Sequence, residues 1–126
     1  MLFYMTTNIP KLSFVLDQLS DEIRSELDSL NVVDIGTGPG TYLWAWFDYF
    51  SEYNGALKGV ESSETMISQA EKLQKTFFKQ ADVAFYNNFR EVKGDSGQVL
   101  LFGNSINEMG VEECLAYIDK FNPKYI

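Results

Sequence analysis

Three glycines that alternate with other residues follow a short apolar run, and this pattern is typical of a ligand-binding turn. The run at residues 32–35 predicts a buried strand. Gly36, Gly38 and Gly40 permit a tight turn and a close approach of a ligand, because glycine has no Cβ to block the backbone. A helix is predicted just beyond the loop, so the free N–H groups of its first turn are expected to face the ligand.

The spacing of these glycines and one acid indicate which ligand is bound. The order G-x-G-x-G differs from the G-x-G-x-x-G of dinucleotide-binding loops, and no Lys-Ser or Lys-Thr pair follows as in a phosphate loop. Asp34 would repel a pyrophosphate but attract a ligand that carries an ammonium and a sulfonium group. S-adenosylmethionine is such a ligand. We therefore predict that it binds at Asp34, Gly36, Thr37, Gly38 and Gly40; a plain strand-to-helix turn is the alternative.

A second acid stands at the end of the next predicted strand. Glu61 lies 21 residues past Gly40, where an acid in a nucleoside-binding α/β fold accepts hydrogen bonds from the ribose hydroxyls. Ser62 follows it, and Met66, one turn into the next helix, is a candidate to pack against the adenine, although a Met at this spacing is also typical of a plain core. A solvated carboxylate at a strand end is the alternative for Glu61.

Hydrophobic periodicity and turn residues divide the chain into alternating strands and helices. The predicted elements are helices at about 11–19 and 21–30, a strand at 32–35, a helix at 42–50, a strand at 56–61, a helix at about 63–78, strands at 83–86 and 98–103, a helix at 111–121 and the start of a fifth strand at 124–126. Pro10 is expected in the first turn of its helix, and Phe77 on a buried helix face. The pattern predicts an α/β fold with a parallel sheet and right-handed crossovers, divided into a helical segment (1–30) and a cofactor-binding domain (31–126).

The helix at 42–50 is aromatic on nearly every side. Trp44 is predicted to face the sheet, whereas Trp46 and Tyr49 point elsewhere and require a second buried surface. Packing against the N-terminal helices is the favoured interpretation. The alternative is an exposed aromatic surface that binds a protein partner or a second copy of the chain.

Composition limits the partners. The formal charge of −8, from 18 acidic and 10 basic residues, disfavours contact with nucleic-acid phosphates or anionic lipid by this chain alone. One cysteine, Cys114, and no histidine exclude an internal disulfide and a histidine base, and no metal site is expected. No stretch approaches the roughly 18 apolar residues of a membrane span. We expect a soluble, cytoplasmic protein that binds no membrane.

The glycine motif and its surroundings also resemble a known family. The run Asp34-x-Gly36-x-Gly38-x-Gly40 resembles the first motif of class I S-adenosylmethionine-dependent methyltransferases. The Gly-Pro-Gly-Thr run with Leu-Trp-Ala at 43–45, and the segments 3–5, 8–11, 15–19 and 104–109, resemble methyltransferase-like proteins associated with the small ribosomal subunit of mitochondria and bacteria. The resemblance covers only the N-terminal half of such a protein. It implies a Rossmann-like sheet that is truncated near the fifth strand.

The resemblance also implies roles for residues that follow the third and fourth strands. Asn87 and Asn88 stand where methyltransferases place a polar side chain near the adenine amino group, although an Asn pair is also ordinary in a turn. Asn104, Ser105 and Glu108 stand where the methyl group would meet its acceptor, and Glu108 is the candidate proton acceptor; helix capping and loop solvation are the alternative. The implied activity is methyl transfer from S-adenosylmethionine, with ribosomal RNA or a ribosome-associated molecule as acceptor.

Two other functions stay open. The family would use further strands, a C-terminal cysteine cluster and a basic surface on ribosomal RNA, none of which lies within these residues. A catalytically incomplete cofactor-binding or assembly module is therefore the first alternative. A nicotinamide-dependent oxidoreductase is the second, and the alternate-glycine spacing argues against it.

Overall fold

A computed structural model describes residues 2–94, 97–102 and 110–126, with side chains from residue 10 onward. Its elements in chain order are α1 (Leu2–Asp17), α2 (Asp21–Leu27), β1 (Val32–Ile35), α3 (Thr41–Tyr49), β2 (Leu57–Val60), α4 (Glu64–Phe77), β3 (Val83–Tyr86), a short 3-10 helix (Phe89–Glu91), β4 (Val99–Leu101) and α5 (Val111–Phe121). In this part of the chain, no helix is both long enough and apolar enough to cross a membrane.

The four strands form one parallel sheet in the order β3-β2-β1-β4. Val32 of β1 is in register with Leu57 on one side and with Val99 on the other. The strand order therefore reverses at β1, and a ligand is expected beyond its carboxyl end. Tyr125 forms a parallel bridge with Val99, where the start of a fifth strand was predicted. The predicted Rossmann-like α/β fold is confirmed.

Alternate strand residues supply two hydrophobic cores on opposite faces of the sheet. On one face, Val32 packs with side chains from α1, α2 and α3. On the other face, Val33 packs with Tyr117 and Phe121 of α5. Because side chains alternate along a strand, Asp34 points to the same face as Val32. The sheet thus places the acid of the glycine motif on the side that α3 covers.

The first helix extends further towards the N-terminus than predicted. α1 begins at Leu2, so Pro10 lies inside the helix and not in its first turn. A proline inside a helix removes the hydrogen bond to the carbonyl four residues earlier, which is why a helix start was expected there. Tertiary packing outweighs this loss, because Leu12 and Leu16 are buried in the core that α1 shares with α3. The expectation of a helix start at Pro10 is therefore wrong.

The two tryptophans of α3 lie inside the protein. Trp44 is 0% exposed and Trp46 is 1% exposed. Trp46 belongs to the core that contains Leu12 and Leu16 of α1. The predicted packing against the N-terminal helices is confirmed. The alternative, an exposed aromatic surface for a protein partner or a homo-oligomer, is wrong at these residues, since neither indole is accessible.

The end of α4 also differs from the prediction. Phe77 is 70% exposed, although its position on the apolar stripe predicted burial. The helix ends there, and Phe78 has left helical geometry, with φ −128° and ψ 44°. Its ring stacks on Trp44 with 4.6 Å between the centroids. Hydrophobic periodicity indicates which face of a helix is buried, but not the residue at which the helix ends. It therefore predicted burial of Phe77, whereas Phe78 is the phenylalanine that packs on Trp44.

Candidate cofactor-binding site

The predicted glycine loop connects β1 to α3 and is bound to the end of β2. Gly36, Gly38 and Gly40 have φ values of 68°, 57° and 89°. Residues other than glycine rarely adopt this left-handed region of backbone angles. The N–H groups of Gly36 and Thr37 both donate to the carbonyl of Val60, at 2.9 and 3.1 Å, and the N–H of Gly40 donates to the carbonyl of Thr37 at 3.0 Å. The turn is therefore held in one shape.

The second and third glycines have different surroundings. A Cβ placed on Gly40 would lie 2.7 Å from Nε1 and 2.9 Å from Cε2 of Trp44, which is closer than packed atoms allow. A Cβ placed on Gly38 would meet no atom within 4 Å. Gly40 thus allows the indole to pack against the loop. Gly38 presents an open backbone face, as the prediction of a close ligand approach requires.

Glu61, directly after β2, is bound to this loop. Its Oε1 accepts a hydrogen bond from the N–H of Gly38 at 2.9 Å, and its Oε2 accepts one from the N–H of Ser63 at 3.0 Å. An ionised carboxylate has about four lone-pair positions, so two of them stay available for a pair of ligand hydroxyls. Ser63 itself caps α4 by accepting from the N–H of Met66 at 3.3 Å. The half-buried carboxylate is thereby fixed between the loop and the start of α4.

Asp34 is buried beside the loop. Its side chain is 1% exposed, and among the described residues neither of its carboxylate oxygens, nor the hydroxyls of Thr37 and Thr41, has a hydrogen-bond partner. Burial raises the pKa of the Asp34 carboxyl to about 7, the Thr37 hydroxyl partly offsets this rise, and the charge of Glu61 adds to it. The Thr37 hydroxyl is near enough for this effect without the geometry of a full hydrogen bond. At neutral pH the Asp34 carboxyl is therefore much less readily ionised than an exposed aspartate, whereas sequence reasoning assumed a full charge.

The asparagine pair lies at the same edge of the sheet. Tyr86 of β3 is in register with Val60 of β2, so Asn87 and Glu61 each follow the last residue of neighbouring strands. Both asparagines are exposed. The side chain of Asn88 accepts a hydrogen bond from the backbone N–H two residues on, at 3.0 Å, and caps the short 3-10 helix. Asn88 thus has the turn role that the alternative gave it, whereas Asn87 is exposed and follows β3 at the edge of the sheet where Glu61 follows β2.

The other predicted residues are distributed as follows. Ser62 is exposed, and the half-buried Met66 lies in the first turn of α4, close to Glu61 along the chain. The predicted catalytic residues lie outside the described residues; they are Asn104, Ser105 and Glu108. The described part of the candidate site is thus the glycine loop and the ends of β1, β2 and β3.

Sequence reasoning missed three residues that shape this site. The indole N–H of Trp44 donates to the carbonyl of Pro39 at 2.8 Å. A Cβ on Gly59 of β2 would lie 2.7 Å from Cγ2 of Thr37, so this glycine makes room for the loop. Ser63 supplies one of the two N–H donors to the Glu61 carboxylate. A glycine inside a strand does signal a close backbone approach. The partner of a buried indole, by contrast, is set by tertiary packing and leaves no signal in one sequence.

Comparison with known proteins reveals a similar fold. The chain is similar to magnesium protoporphyrin IX methyltransferase from Synechocystis PCC 6803, whose crystal structure contains bound S-adenosylmethionine. The TM-score is 0.66 with 17% sequence identity, and the match covers 90% of this chain and 52% of the other. No protein-family model matches the chain, and comparison with curated proteins finds no match. The chain therefore has the Rossmann-like fold of that methyltransferase and spans about half its length.

Proposed function

We propose that this chain is an S-adenosylmethionine-dependent methyltransferase domain. One observation carries the proposal: the Glu61 carboxylate is fixed by the N–H of Gly38, and the backbone of Gly38 is open on the side where a Cβ would point. A nucleoside that carries an amino acid has to contact both features, since its ribose needs a carboxylate acceptor and its amino acid part needs close access to the loop backbone. The bound cofactor of the similar methyltransferase structure supports this proposal.

The residues present fit this cofactor. Glu61 would accept hydrogen bonds from the ribose hydroxyls, and the backbone at Gly36 and Gly38 would contact the amino acid part. Asp34 lies near enough to Glu61 for their charges to interact, and a cation bound nearby would favour its ionised form. Asn87 is proposed to lie at the adenine. These roles need no change of the loop, because its turn is already formed by hydrogen bonds to Val60.

The cofactor would supply a methyl group that is already activated by its sulfonium. The protein therefore has to position the two reactants and exclude water, and a fixed catalytic triad is not needed. We propose that Asn104, Ser105 and Glu108 orient the acceptor, with Glu108 receiving its proton. The helical segment at 1–30 would cover one face of the sheet, and 31–126 would form the cofactor-binding domain.

Ribosomal RNA or a ribosome-associated molecule is the proposed acceptor. This part of the proposal rests on the resemblance of the 36–45 and 104–109 segments. The net charge of −8 opposes binding to RNA phosphates, so basic surface from outside this chain would be required. A cytoplasmic location is part of the same proposal.

Isothermal titration calorimetry with S-adenosylhomocysteine tests the function. We expect the purified chain to bind this product and to give no heat with oxidised or reduced nicotinamide dinucleotides. Gly38→Val should weaken binding at least tenfold, because the new side chain enters the open face, whereas the near-isosteric Thr37→Val should change affinity less. Absence of binding by a folded chain would refute the proposal. Binding without methyl transfer to any ribosomal substrate would favour the cofactor-binding module instead.

A further inference from the structure

Trp44 is completely buried, and its single polar group is bound to the glycine loop. The indole N–H donates to the carbonyl of Pro39 at 2.8 Å. Pro39 lies between the open glycine, Gly38, and the packed one, Gly40. A buried indole N–H needs an acceptor, and here the acceptor belongs to the loop that the ligand approaches.

The ring of Trp44 cannot reorient without moving other elements. It stacks on Phe78 at the end of α4, with 4.6 Å between centroids and 8° between the planes. It also meets Phe85 of β3 edge-on, at 5.8 Å and 64°. Aromatic pairs in these geometries stabilise one another beyond their burial. The N–H donor is therefore held in a fixed position relative to the sheet.

Two anchors hold consecutive residues of the loop from different sides. Glu61 accepts from the N–H of Gly38, and Trp44 donates to the carbonyl of Pro39. Proline has a fixed φ and no N–H, so the orientation of its carbonyl is the remaining variable at this residue. The backbone between the two anchors is the open segment at Gly38. Loss of one anchor would let this segment rotate.

We propose that Trp44 is a positioning residue for cofactor binding: its indole N–H fixes the Pro39 carbonyl and thereby holds the Gly38 backbone in the binding geometry. This inference rests on the proposed function. Trp46, two residues further along α3, is equally buried but packs with α1, and its indole N–H makes no hydrogen bond to the glycine loop. It is therefore a matched control for the loss of a buried tryptophan.

The test compares Trp44→Phe with Trp46→Phe in the full chain. Both variants lose a buried indole, so both should lower the melting temperature. Only Trp44→Phe should weaken binding of S-adenosylhomocysteine, by about three- to tenfold, the equivalent of one hydrogen bond. Tryptophan fluorescence should respond to the ligand in Trp46→Phe and not in Trp44→Phe. Equal affinities in the two variants would overturn the inference.

A second variant keeps the test valid if Trp44→Phe does not fold. Incorporation of 3-benzothienylalanine at residue 44 retains the shape of the bicyclic ring but replaces the N–H donor by sulfur. The same three- to tenfold loss of affinity is expected, with the melting temperature close to that of the parent. Unchanged affinity would show that the ring alone, and not its N–H, shapes the loop. Failure of the parent chain to bind would refute the proposed function, which is a different result.

Discussion

The two faces of the glycine loop differ in what they contact. The packed face contains Asp34, Thr37 and Gly40, which lie against β2 and Trp44 and have almost no exposed surface. The open face contains the Gly38 backbone and the partly exposed carboxylate of Glu61. Thr37 and Gly40 of the packed face and Gly38 of the open face belong to the same turn, so proximity in sequence does not decide which face a residue lies on.

The glycine motif thus combines two roles, the shape of the loop and the binding of a ligand, and the two faces separate them. Residues on the packed face determine the shape of the loop, and their replacement should change the free energy of unfolding more than ligand affinity. Residues on the open face should show the reverse, because their remaining hydrogen-bonding positions and free space are used only when a ligand is present. Substitutions on each face can therefore test whether the separation is real.

Gly40→Ala should have the largest effect on the packed face. The new Cβ would lie 2.7 Å from Trp44 Nε1, and φ is 89°. The left-handed backbone costs about 1–2 kcal/mol and the overpacking about 1–3 kcal/mol, so we expect a loss of about 2–5 kcal/mol in the free energy of unfolding, measured by urea denaturation. Gly38→Ala is the matched control. Its Cβ meets nothing within 4 Å, so only the backbone cost of about 1–2 kcal/mol is expected. Equal losses would remove the distinction between the faces.

Glu61→Gln tests the open face. The amide keeps the size of the side chain but loses the charge and one acceptor, so we expect ten- to a hundredfold weaker binding of S-adenosylhomocysteine, about 1.5–3 kcal/mol. The free energy of unfolding should fall by less, about 1 kcal/mol, because the two backbone N–H partners lie at a partly exposed position. Glu64→Gln, an exposed carboxylate at the start of α4, should change neither quantity. If the free energy of unfolding falls but the affinity does not change, Glu61 shapes the loop and does not bind the ligand.

The strands and the loop could be predicted from the sequence because local chemistry determines them. Val32, Val33 and Ile35 predicted a buried strand, and that strand is observed. Three alternating glycines predicted a tight turn, and all three have positive φ values in the structure. Ser20, directly before the helix that was predicted at 21–30, caps α2, since its hydroxyl accepts from Ile23 N–H at 3.3 Å. Each of these features depends on a few neighbouring residues.

The features that sequence reasoning missed depend on distant contacts. The continuation of α1 past Pro10 requires the packing of α1 on α3, and the partial burial of Phe78 requires Trp44 as a stacking partner. Glu61 was predicted as an acceptor for a ligand, but its two backbone hydrogen bonds, one of them from 23 residues away, were not predicted. A single sequence carries no signal for such pairs, because many side chains could supply the same contact.

Asp34→Asn should cause no loss of stability, and the size of its stabilising effect should depend on pH. The pKa of Asp34 rises from 3.8 to about 7 on folding, so the folded chain holds this proton more tightly than the unfolded chain. Ionisation therefore lowers stability as the pH rises from about 4 to about 7, and the full penalty is present above that window. An amide cannot ionise, so the variant should be more stable than the parent by a few kcal/mol at pH 8 and show almost no gain at pH 4. Asp119→Asn, an exposed carboxylate on α5, controls for net charge. Urea denaturation at both pH values measures the effect. A gain that does not vary with pH would mean that Asp34 is not a buried titrating group, and the packed face would then lose its one ionisable member.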